Sequence, residues 1–518
     1  MRLEIFFKSL VMAGLFCAGS VRAEDGAVAA RYHYAGIEAL SGNADLVTLH
    51  KVFKLTNSPK FRSTVITSLS DLLPKALDLD AKTDATLLNP LLDDLGRVES
   101  AGGFGGVAKG PLEFVLAVHL ESARAELWKK NLGLMLAGKS EWRVTPAGDW
   151  LVVSRGTNLA AVETTYLQAV QKNHRAVAVL KTNWFEADVD WVGMGPWLGL
   201  TNGPLKLPRT VVSIATMGDN FRTTARVIYP ESIETPLEPW NFPKMSVKDP
   251  LISFTAARNV LPLVNIGASL APFIQGPLSH QVAVWALGDM AMQTYATTPM
   301  VEPTNVVRTI YSNMPAAFNE ALAAKREGAM RWETNGPTVV WTGLGMFAPY
   351  VRPLHEKGGG DFVLLGLFPL PPRGKPAPQG LWDEITKQDK LVYYDWETTA
   401  LRLQHWRLLS QMLPILPHTY RAPIGTTPTT NSVALARSRE RAAVAARENW
   451  LEELGTLLGE SVTQVTRTGP NELSFLRKSQ AGFTSFELVL ISHWLSGTGI
   501  GPFNQQLLPP RAKASNAP

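Results

Sequence analysis

A helix followed by a β-hairpin recurs along this chain of 518 residues, and that recurrence constrains the fold more than any other sequence feature. The first copy spans about 121–155, the second about 305–344 and the third about 434–478. In each copy, apolar residues at four-residue spacing mark one buried stripe of a helix, and a turn containing glycine separates two short strands. A helix that leads into a hairpin buries its stripe against one face of a sheet.

Large side chains align the copies. Trp128 and Trp142 of the first copy match Phe318 and Trp332 of the second at a displacement of 190 residues, and Trp450 matches Trp128 at a displacement of 322. The repeat predicts an α+β protein made by internal duplication. Two related domains would each combine an antiparallel sheet with covering helices, and a shorter C-terminal helix–hairpin unit would follow.

The domain boundaries are predicted from stretches rich in proline, glycine and threonine. The predicted segments are a signal peptide over 1–23, an α+β domain over 24–235, its repeat over 236–422, a C-terminal helix–hairpin unit over 423–506 and a disordered tail over 507–518.

The first residues are typical of a secretory signal peptide. Arg2 and Lys8 precede an apolar run over 9–20, and Ala23 ends a segment of the kind that signal peptidase cleaves. The apolar run is too short to cross a bilayer comfortably, which favours a cleaved signal over a membrane anchor. We therefore expect export to the periplasm or cell envelope, or secretion.

Cysteine content and charge exclude several classes of protein. Cys17 is the only cysteine and lies within the predicted signal, so the mature chain would have neither disulfides nor thiolate metal sites. The formal charge of +5 falls to +3 when the net +2 of the signal is removed, and no block of lysine and arginine occurs. No nucleic-acid partner, metal or cofactor is expected.

An apolar stretch over 251–274 raises the question of a membrane span. It contains Arg258, Asn259 and Asn265, which are costly in hydrocarbon. We predict a buried strand over 251–255 followed by a core-packed helix, and no transmembrane helix after removal of the signal.

Residues Gly133–Ser140 fit the pattern of a phosphate-binding P-loop, GxxxxGKS. A P-loop needs a strand before the glycines and a helix after them, because the helix N-terminus binds the phosphate. Here the predicted order is reversed, so no nucleotide partner is expected. A second glycine-rich run, Gly102–Gly106, is predicted to be a mobile connection that precedes a strand.

Two acidic strands supply the candidate binding residues. Acids alternate with apolar residues in both, which places the acids on one strand face beside aromatic rings. The candidates are Trp184, Glu186, Asp188, Asp190, Tyr393, Asp395 and Glu397. Such a ladder can bind calcium or a sugar, or house an acid of raised pKa. The favoured interpretation is a solvated strand face with a packed reverse side.

No residue is assigned a catalytic role. The nine histidines are scattered, and His405 is expected to be packed on an amphipathic helix over 398–413. The preferred hypothesis is a non-enzymatic periplasmic or cell-envelope protein that binds an unknown partner or ligand. The alternative is a hydrolase of envelope polymers or glycans that uses carboxylates such as Asp188 and Asp395.

Overall fold

A computed structural model describes most of the chain between its two ends. The described residues are 28–76, 84–106, 113–157, 183–198, 207–233, 236–259, 280–290, 292–313, 319–320, 329–333, 336–342, 348–357, 360–371, 374–412 and 430–497. The predicted signal peptide, most of the helix expected after residue 255 and the predicted tail lie outside them. Residues 256–258, where the sequence predicts the start of that helix, instead continue the strand that begins at Leu251, so the predicted boundary is wrong there.

Eighteen strands of the described residues join into one antiparallel sheet. In chain order they are β1 (Val28–Tyr34), β2 (Ser100–Gly105), β3 (Glu113–His119), β4 (Trp142–Ala147), β5 (Trp150–Arg155), β6 (Asn183–Asp190), β7 (Arg209–Met217), β8 (Asn220–Ile228), β9 (Leu251–Arg258), β10 (Gln281–Leu287), β11 (Thr294–Pro299), β12 (Ala329–Glu333), β13 (Thr338–Thr342), β14 (Tyr350–Glu356), β15 (Gly360–Gly366), β16 (Leu391–Thr398), β17 (Glu460–Gly469) and β18 (Glu472–Ser479).

Eleven α-helices occur in the same part of the chain, with one short 3₁₀ helix over Ala85–Leu88. They are α1 (Ile37–Ser41), α2 (Val47–Phe53), α3 (Ser58–Ala76), α4 (Asn89–Arg97), α5 (Ser122–Met135), α6 (Trp191–Leu198), α7 (Pro303–Asn313), α8 (Gln379–Thr386), α9 (Thr399–Met412), α10 (Thr430–Gly455) and α11 (Ser485–Leu495). Within the described ranges, none of these helices combines the length and apolar character needed to cross a membrane.

The strand pairings define a single linear order. From one end to the other it is β4-β5-β3-β2-β1-β6-β7-β8-β18-β17-β16-β9-β10-β11-β15-β14-β13-β12. Strands β8 and β18 pair at the centre, and the order on one side resembles the order on the other. The mixture of helix with antiparallel sheet is as predicted.

A helix precedes each of the three predicted hairpins, but the hairpins occupy different places in the sheet, and Phe318, which aligns the second copy, lies outside the described residues. Hairpin β4–β5 lies at one end and β12–β13 at the other, whereas β17–β18 lies in the centre beside β8. Strand β16 pairs directly with β17 across the predicted boundary at 422. The domain boundaries therefore stay a prediction.

The segment that resembles a P-loop has the reversed order that the sequence predicts. Helix α5 ends at Met135 and strand β4 begins at Trp142, so the glycines follow a helix and precede a strand. The backbone N–H of Lys139 donates to Leu136 O at 3.0 Å in the turn that ends the helix. No helix N-terminus is available there to bind phosphate.

The prediction of a mobile connection at Gly102–Gly106 is wrong for its first four residues, which belong to strand β2. These glycines are paired with β1 on one side and β3 on the other. A Cβ on Gly102 would lie 2.5 Å from Cε1 of Tyr32, so the ring of Tyr32 occupies the space that a side chain would need. Glycine here reflects a close approach in a packed sheet rather than flexibility.

The largest apolar core lies against β9, β10 and β16. Phe254, Trp285 and Tyr394 are buried there beneath Trp382 and Ile385 of α8. The rings of Phe254 and Trp382 meet edge to face with centroids 5.2 Å apart. A second large cluster, centred on Leu403, Leu451 and Leu488, joins α9, α10 and α11 to one another.

The proline-rich stretch before β9, predicted to link two domains, is packed against this core. Phe242 is buried among the core residues, and the guanidinium of Arg258 lies 4.5 Å from the ring centroid of Trp240. Arg258 also donates to Glu238 O at 2.7 Å and to Leu391 O at 2.7 Å. One buried arginine therefore ties this stretch to the start of β16.

Replacing Phe254 by alanine tests the core assignment. Phe254 is fully buried, so Phe254→Ala is expected to lower the free energy of unfolding by about 3–5 kcal/mol through lost burial and a cavity. Val301 is 81% exposed, and Val301→Ala should change it by less than about 0.5 kcal/mol. Chemical denaturation measures both; equal effects would contradict the assignment.

Candidate functional site

The two acidic strands present their acids to opposite faces of the sheet. Asp188 of β6 is paired with Val211 of β7, which is paired in turn with Arg226 of β8. Asp395 of β16 is paired with Thr463 of β17. Thr463 is paired with Arg477 of β18, which is paired in turn with Thr223 of β8. Paired residues share a face, and residues three apart on one strand lie on opposite faces.

The position of the helices agrees with this register. Helix α6 packs through Met194 on the face that carries Ala187 and Val189, which is the face opposite Asp188. Helices α9 and α11 lie over the face that carries Asp395 and Glu397. The acidic strands β6 and β16 have similar alternating sequences. A shift of one residue in strand register is nevertheless sufficient to direct their acids to opposite faces, because side chains alternate between the two faces along a strand.

The two acidic strands are also far apart. Strand β6 is separated from β16 by five strand spacings, about 24 Å along the sheet. The two carboxylates of a glycosidase lie within about 10 Å of each other. Asp188 and Asp395 therefore do not form the catalytic pair that the hydrolase hypothesis requires.

Asp188 is buried between two arginines. It accepts from Arg31 Nη2 at 3.0 Å, from Arg209 Nε at 3.0 Å and from Arg209 Nη2 at 3.1 Å. Arg31 comes from β1 and Arg209 from β7, so one carboxylate connects three adjacent strands. The expectation of a solvated acidic face is wrong for Asp188, because these two cations provide the partners that burial of a charge requires.

The other three candidates on β6 have separate surroundings. Glu186 accepts a short hydrogen bond from Asn183, and Asp190 accepts from the backbone N–H of Val192 at 3.1 Å at the start of α6. Trp184 lies at a bulge and packs against Phe221 with ring centroids 5.5 Å apart. The bulge turns Trp184 away from the acids, so the prediction that it shares their face is wrong.

Both acids of β16 are buried, whereas Asp188 is the only buried acid among the three candidate acids of β6. Asp395 accepts from Thr255 Oγ1 at 2.6 Å. The two oxygens of Glu397 accept from the backbone N–H and from Oγ of Ser485, both at 2.6 Å. Tyr393 is half-buried on the same face. Since Ser485 is the first residue of α11, Glu397 fixes the start of that helix to the sheet.

Strand β16 is covered on both faces, which explains why alternation misled the prediction of a solvated face. Tyr394 points into the large apolar core, while Asp395 and Glu397 point towards α9 and α11. A pattern of alternating acid and aromatic residues indicates which residues share a face, but it does not reveal whether a helix covers that face.

A second buried charge pair lies beside these acids. Arg477 of β18 donates to Glu487 of α11 through Nη1 at 2.6 Å and Nη2 at 3.0 Å, and through Nε to Thr463 at 2.9 Å. Glu487 also accepts from the backbone N–H of Thr484 at 2.8 Å, and Thr484 Oγ1 accepts from the N–H of Glu487. This capping box sets where α11 begins.

Two further ionisable groups reach the cluster from α9. Arg402 and His405 are both less than a tenth exposed, and the guanidinium of Arg402 lies 4.8 Å from the ring centroid of Trp406. His405 is packed on its helix, as the sequence predicts. Burial, together with the charge of Arg402, lowers the pKa of His405 to about 4, so this imidazole is neutral near pH 7.

Burial raises the pKa of both carboxyls of β16, whereas it lowers the pKa of His405. It raises the pKa of Glu397 to about 7, and the charge of Asp395 adds to that shift. Burial also raises the pKa of Asp395, against the hydrogen bond from Thr255 and the charge of Arg477. The pair therefore favours a protonated state at a pH where isolated carboxyls are ionised.

Sequence reasoning found the acids but not their partners. Arg402 and Arg477 lie in a helix and a strand without a motif around them, so their convergence depends on tertiary structure. Glu487 did carry a signal, because Thr484-Ser485-Phe486-Glu487 fits the capping-box pattern just before an apolar run. Among the described residues, no group of three or more potential metal-ligating side chains could hold a metal ion.

Comparison of the chain with protein-family models, with curated proteins and with solved structures finds no match.

Replacing Asp188 by asparagine tests its structural role. The variant leaves Arg31 and Arg209 without their shared charge partner, so we expect a loss of about 1–3 kcal/mol in the free energy of unfolding. Glu126→Gln is the matched control, because that side chain is 70% exposed and its pair with Lys129 should contribute less than about 0.5 kcal/mol. Equal shifts in denaturation midpoint would contradict the role of Asp188.

Substitutions of Arg477 and Glu487 test how much their buried ion pair contributes to stability. Glu487→Gln leaves Arg477 buried without its charge partner, and we expect a loss of about 3–5 kcal/mol in the free energy of unfolding. The double variant Arg477→Met/Glu487→Leu should lose less than Glu487→Gln alone, since no buried charge is left unpaired. A double variant that loses the sum of the single losses would show that the two side chains act independently.

Proposed function

We propose that this chain is an exported protein of the periplasm or cell envelope that binds a partner or ligand and does not catalyse a reaction. The observation that carries the proposal is that its candidate catalytic acids have internal partners. Asp188 is held by two arginines, Asp395 by Thr255 and Glu397 by Ser485. A group committed to the folded structure in this way is not presented to a substrate.

Binding through the seven candidate residues stays part of this proposal, although they cannot all contribute in the same way. Glu186 and Asp190 are half-exposed on the face opposite α6, so they remain accessible to a ligand. Asp188, Asp395 and Glu397 would act by holding the surrounding strands in place. The proposal includes no role for nucleic acid or nucleotide.

Internal duplication is also part of the proposal. Strands β2 and β3 and helix α5 begin at residues 100, 113 and 122, and β10, β11 and α7 begin 181 residues later, at 281, 294 and 303. Strands β17 and β18 occupy places equivalent to β7 and β8 across the central pair, so the third unit matches β7–β8 and not the first unit, with which Trp450 and Trp128 align it. These correspondences support two related halves in which the third helix–hairpin unit completes the second half.

A hydrolase remains the second candidate, because one observation favours it. A carboxyl with a pKa raised to about 7, such as that of Glu397, is typical of a general acid. Burial of both Asp395 and Glu397 beneath α9 and α11 argues against contact with a polymer. The proposal of a binding protein therefore has the stronger support.

The two candidates differ in one assay. Purified peptidoglycan incubated with the full chain should release no soluble fragments, and Asp395→Asn and Glu397→Gln should behave like the unchanged chain. Fragment release that either variant abolishes would establish the hydrolase. Co-sedimentation with purified cell envelopes should weaken in Glu186→Gln/Asp190→Asn but not in Asp149→Asn, an exposed acid in the β4–β5 turn. Equal weakening in both would exclude these two acids as binding residues.

Export is tested by the mass of the chain recovered from the periplasm of a bacterial host. We expect a chain that begins at Glu24, because signal peptidase would cleave after Ala23. Recovery of the uncleaved chain in the cytoplasmic fraction would contradict the proposal. Replacing Lys8 and the apolar run over 9–20 with polar residues should abolish export while leaving the mature chain unchanged.

A further inference from the structure

Five charged side chains lie in a sealed cluster between the sheet and α11. This cluster, called here the β16 charge cluster, consists of Asp395, Glu397, Arg402, Arg477 and Glu487, and each member is 8% exposed or less. With every member ionised, three carboxylates oppose two guanidiniums, which leaves one net negative charge. An unbalanced charge in such surroundings is costly, and the uptake of one proton removes it.

Hydrogen bonds limit where that proton can reside. The Arg477 guanidinium donates to both oxygens of Glu487, so this carboxyl is already paired with a cation. Asp395 and Glu397 alternate along β16 and point to the same face, with Cα atoms about 7 Å apart. Both oxygens of Glu397 accept from Ser485, and one oxygen of Asp395 accepts from Thr255. The donors to Asp395 and Glu397 are neutral groups, whereas the donor to both oxygens of Glu487 is a cation, so Asp395 and Glu397 share the proton as a pair.

The groups that face this pair come from every element packed around it. They are Thr255 on β9, Ser461 and Thr463 on β17, Arg477 on β18, Arg402 and His405 on α9, Ser485 and Glu487 on α11, and Tyr393 on β16 itself. Arginine stays charged and the hydroxyls are neutral. His405 has a pKa of about 4, so it does not change charge between pH 6 and pH 8.

We propose that uptake and release of one proton by the Asp395–Glu397 pair controls how firmly the start of α11 is held on the sheet. With the proton bound, the cluster is neutral and Ser485 docks on Glu397. Without it, the extra negative charge faces Glu487, the second carboxylate that anchors this helix end. Opening of residues Gln480–Glu487 then lets water reach the carboxylates and lowers the cost of their charge.

The direction of the pH dependence follows from proton linkage. Burial raises the pKa of Glu397 from 4.5 to about 7, so the closed state binds the proton more tightly than the open state. The closed state is therefore favoured fully below about pH 4.5, and this preference is lost as the pH rises through 7. Between pH 6 and pH 8 the population of the open state should rise about tenfold.

Hydrogen exchange of the full mature chain measures that opening. The backbone N–H groups of Ser485 and Glu487 are hydrogen-bonded to Glu397 and Thr484, so a peptide that covers the start of α11 reports on the contact. After correction for the intrinsic pH dependence of exchange, its protection should fall about tenfold between pH 6 and pH 8. Peptides from β9 and β10 should keep constant protection over that range.

Two isosteric variants test whether the pair is responsible. Glu397→Gln and Asp395→Asn each remove one titrating carboxyl, so protection of α11 should no longer change with pH in either. Glu452→Gln is the control, because that side chain is 71% exposed on α10, and it should keep the pH dependence of the unchanged chain. Constant protection in the unchanged chain, or an undiminished fall in both variants, would overturn the proposal.

Discussion

The sheet depends on one strand pair, because β8 and β18 are the only described strands that connect its two sides. Their antiparallel register runs without a bulge from Phe221–Ser479 to Ile228–Glu472. That register fixes the face to which every neighbouring strand directs its side chains. Asp188 is directed to one face and Asp395 to the other as a consequence, and the helices that cover Asp395 leave Asp188 to be neutralised by arginines from adjacent strands.

Charge is buried on both faces, but by different means. On β6, two partly exposed arginines surround one carboxylate, so the excess positive charge remains in contact with water. On β16 and its neighbours, three carboxyls meet two arginines beneath a helical layer, and all five side chains are buried. The first arrangement holds three adjacent strands together. The second ties the anchoring of a helix to the protonation of a strand.

Local features of this chain could be predicted from its sequence, whereas the assembly of the sheet could not. The hairpin β4–β5, the reversed order around Gly133–Ser140 and the packed His405 all depend on residues near one another in the chain. The burial of Asp395 depends on Ser485 and Arg477, about 80–90 residues away. The prediction of a mobile connection at the glycines of β2 was wrong for a similar reason. The ring of Tyr32, on another strand, occupies the space that a side chain at Gly102 would need.

The central pair joins residues that are 244 to 258 positions apart in the chain. Strand β8 is synthesised long before its partner, and until β18 arrives its free backbone groups form an open edge that can pair with other chains. Contacts of such long sequence separation form slowly, because a large loop must close first. A chain built in this way completes its sheet only after β18 is available, so the edge of β8 is the part of the fold that waits longest for its partner.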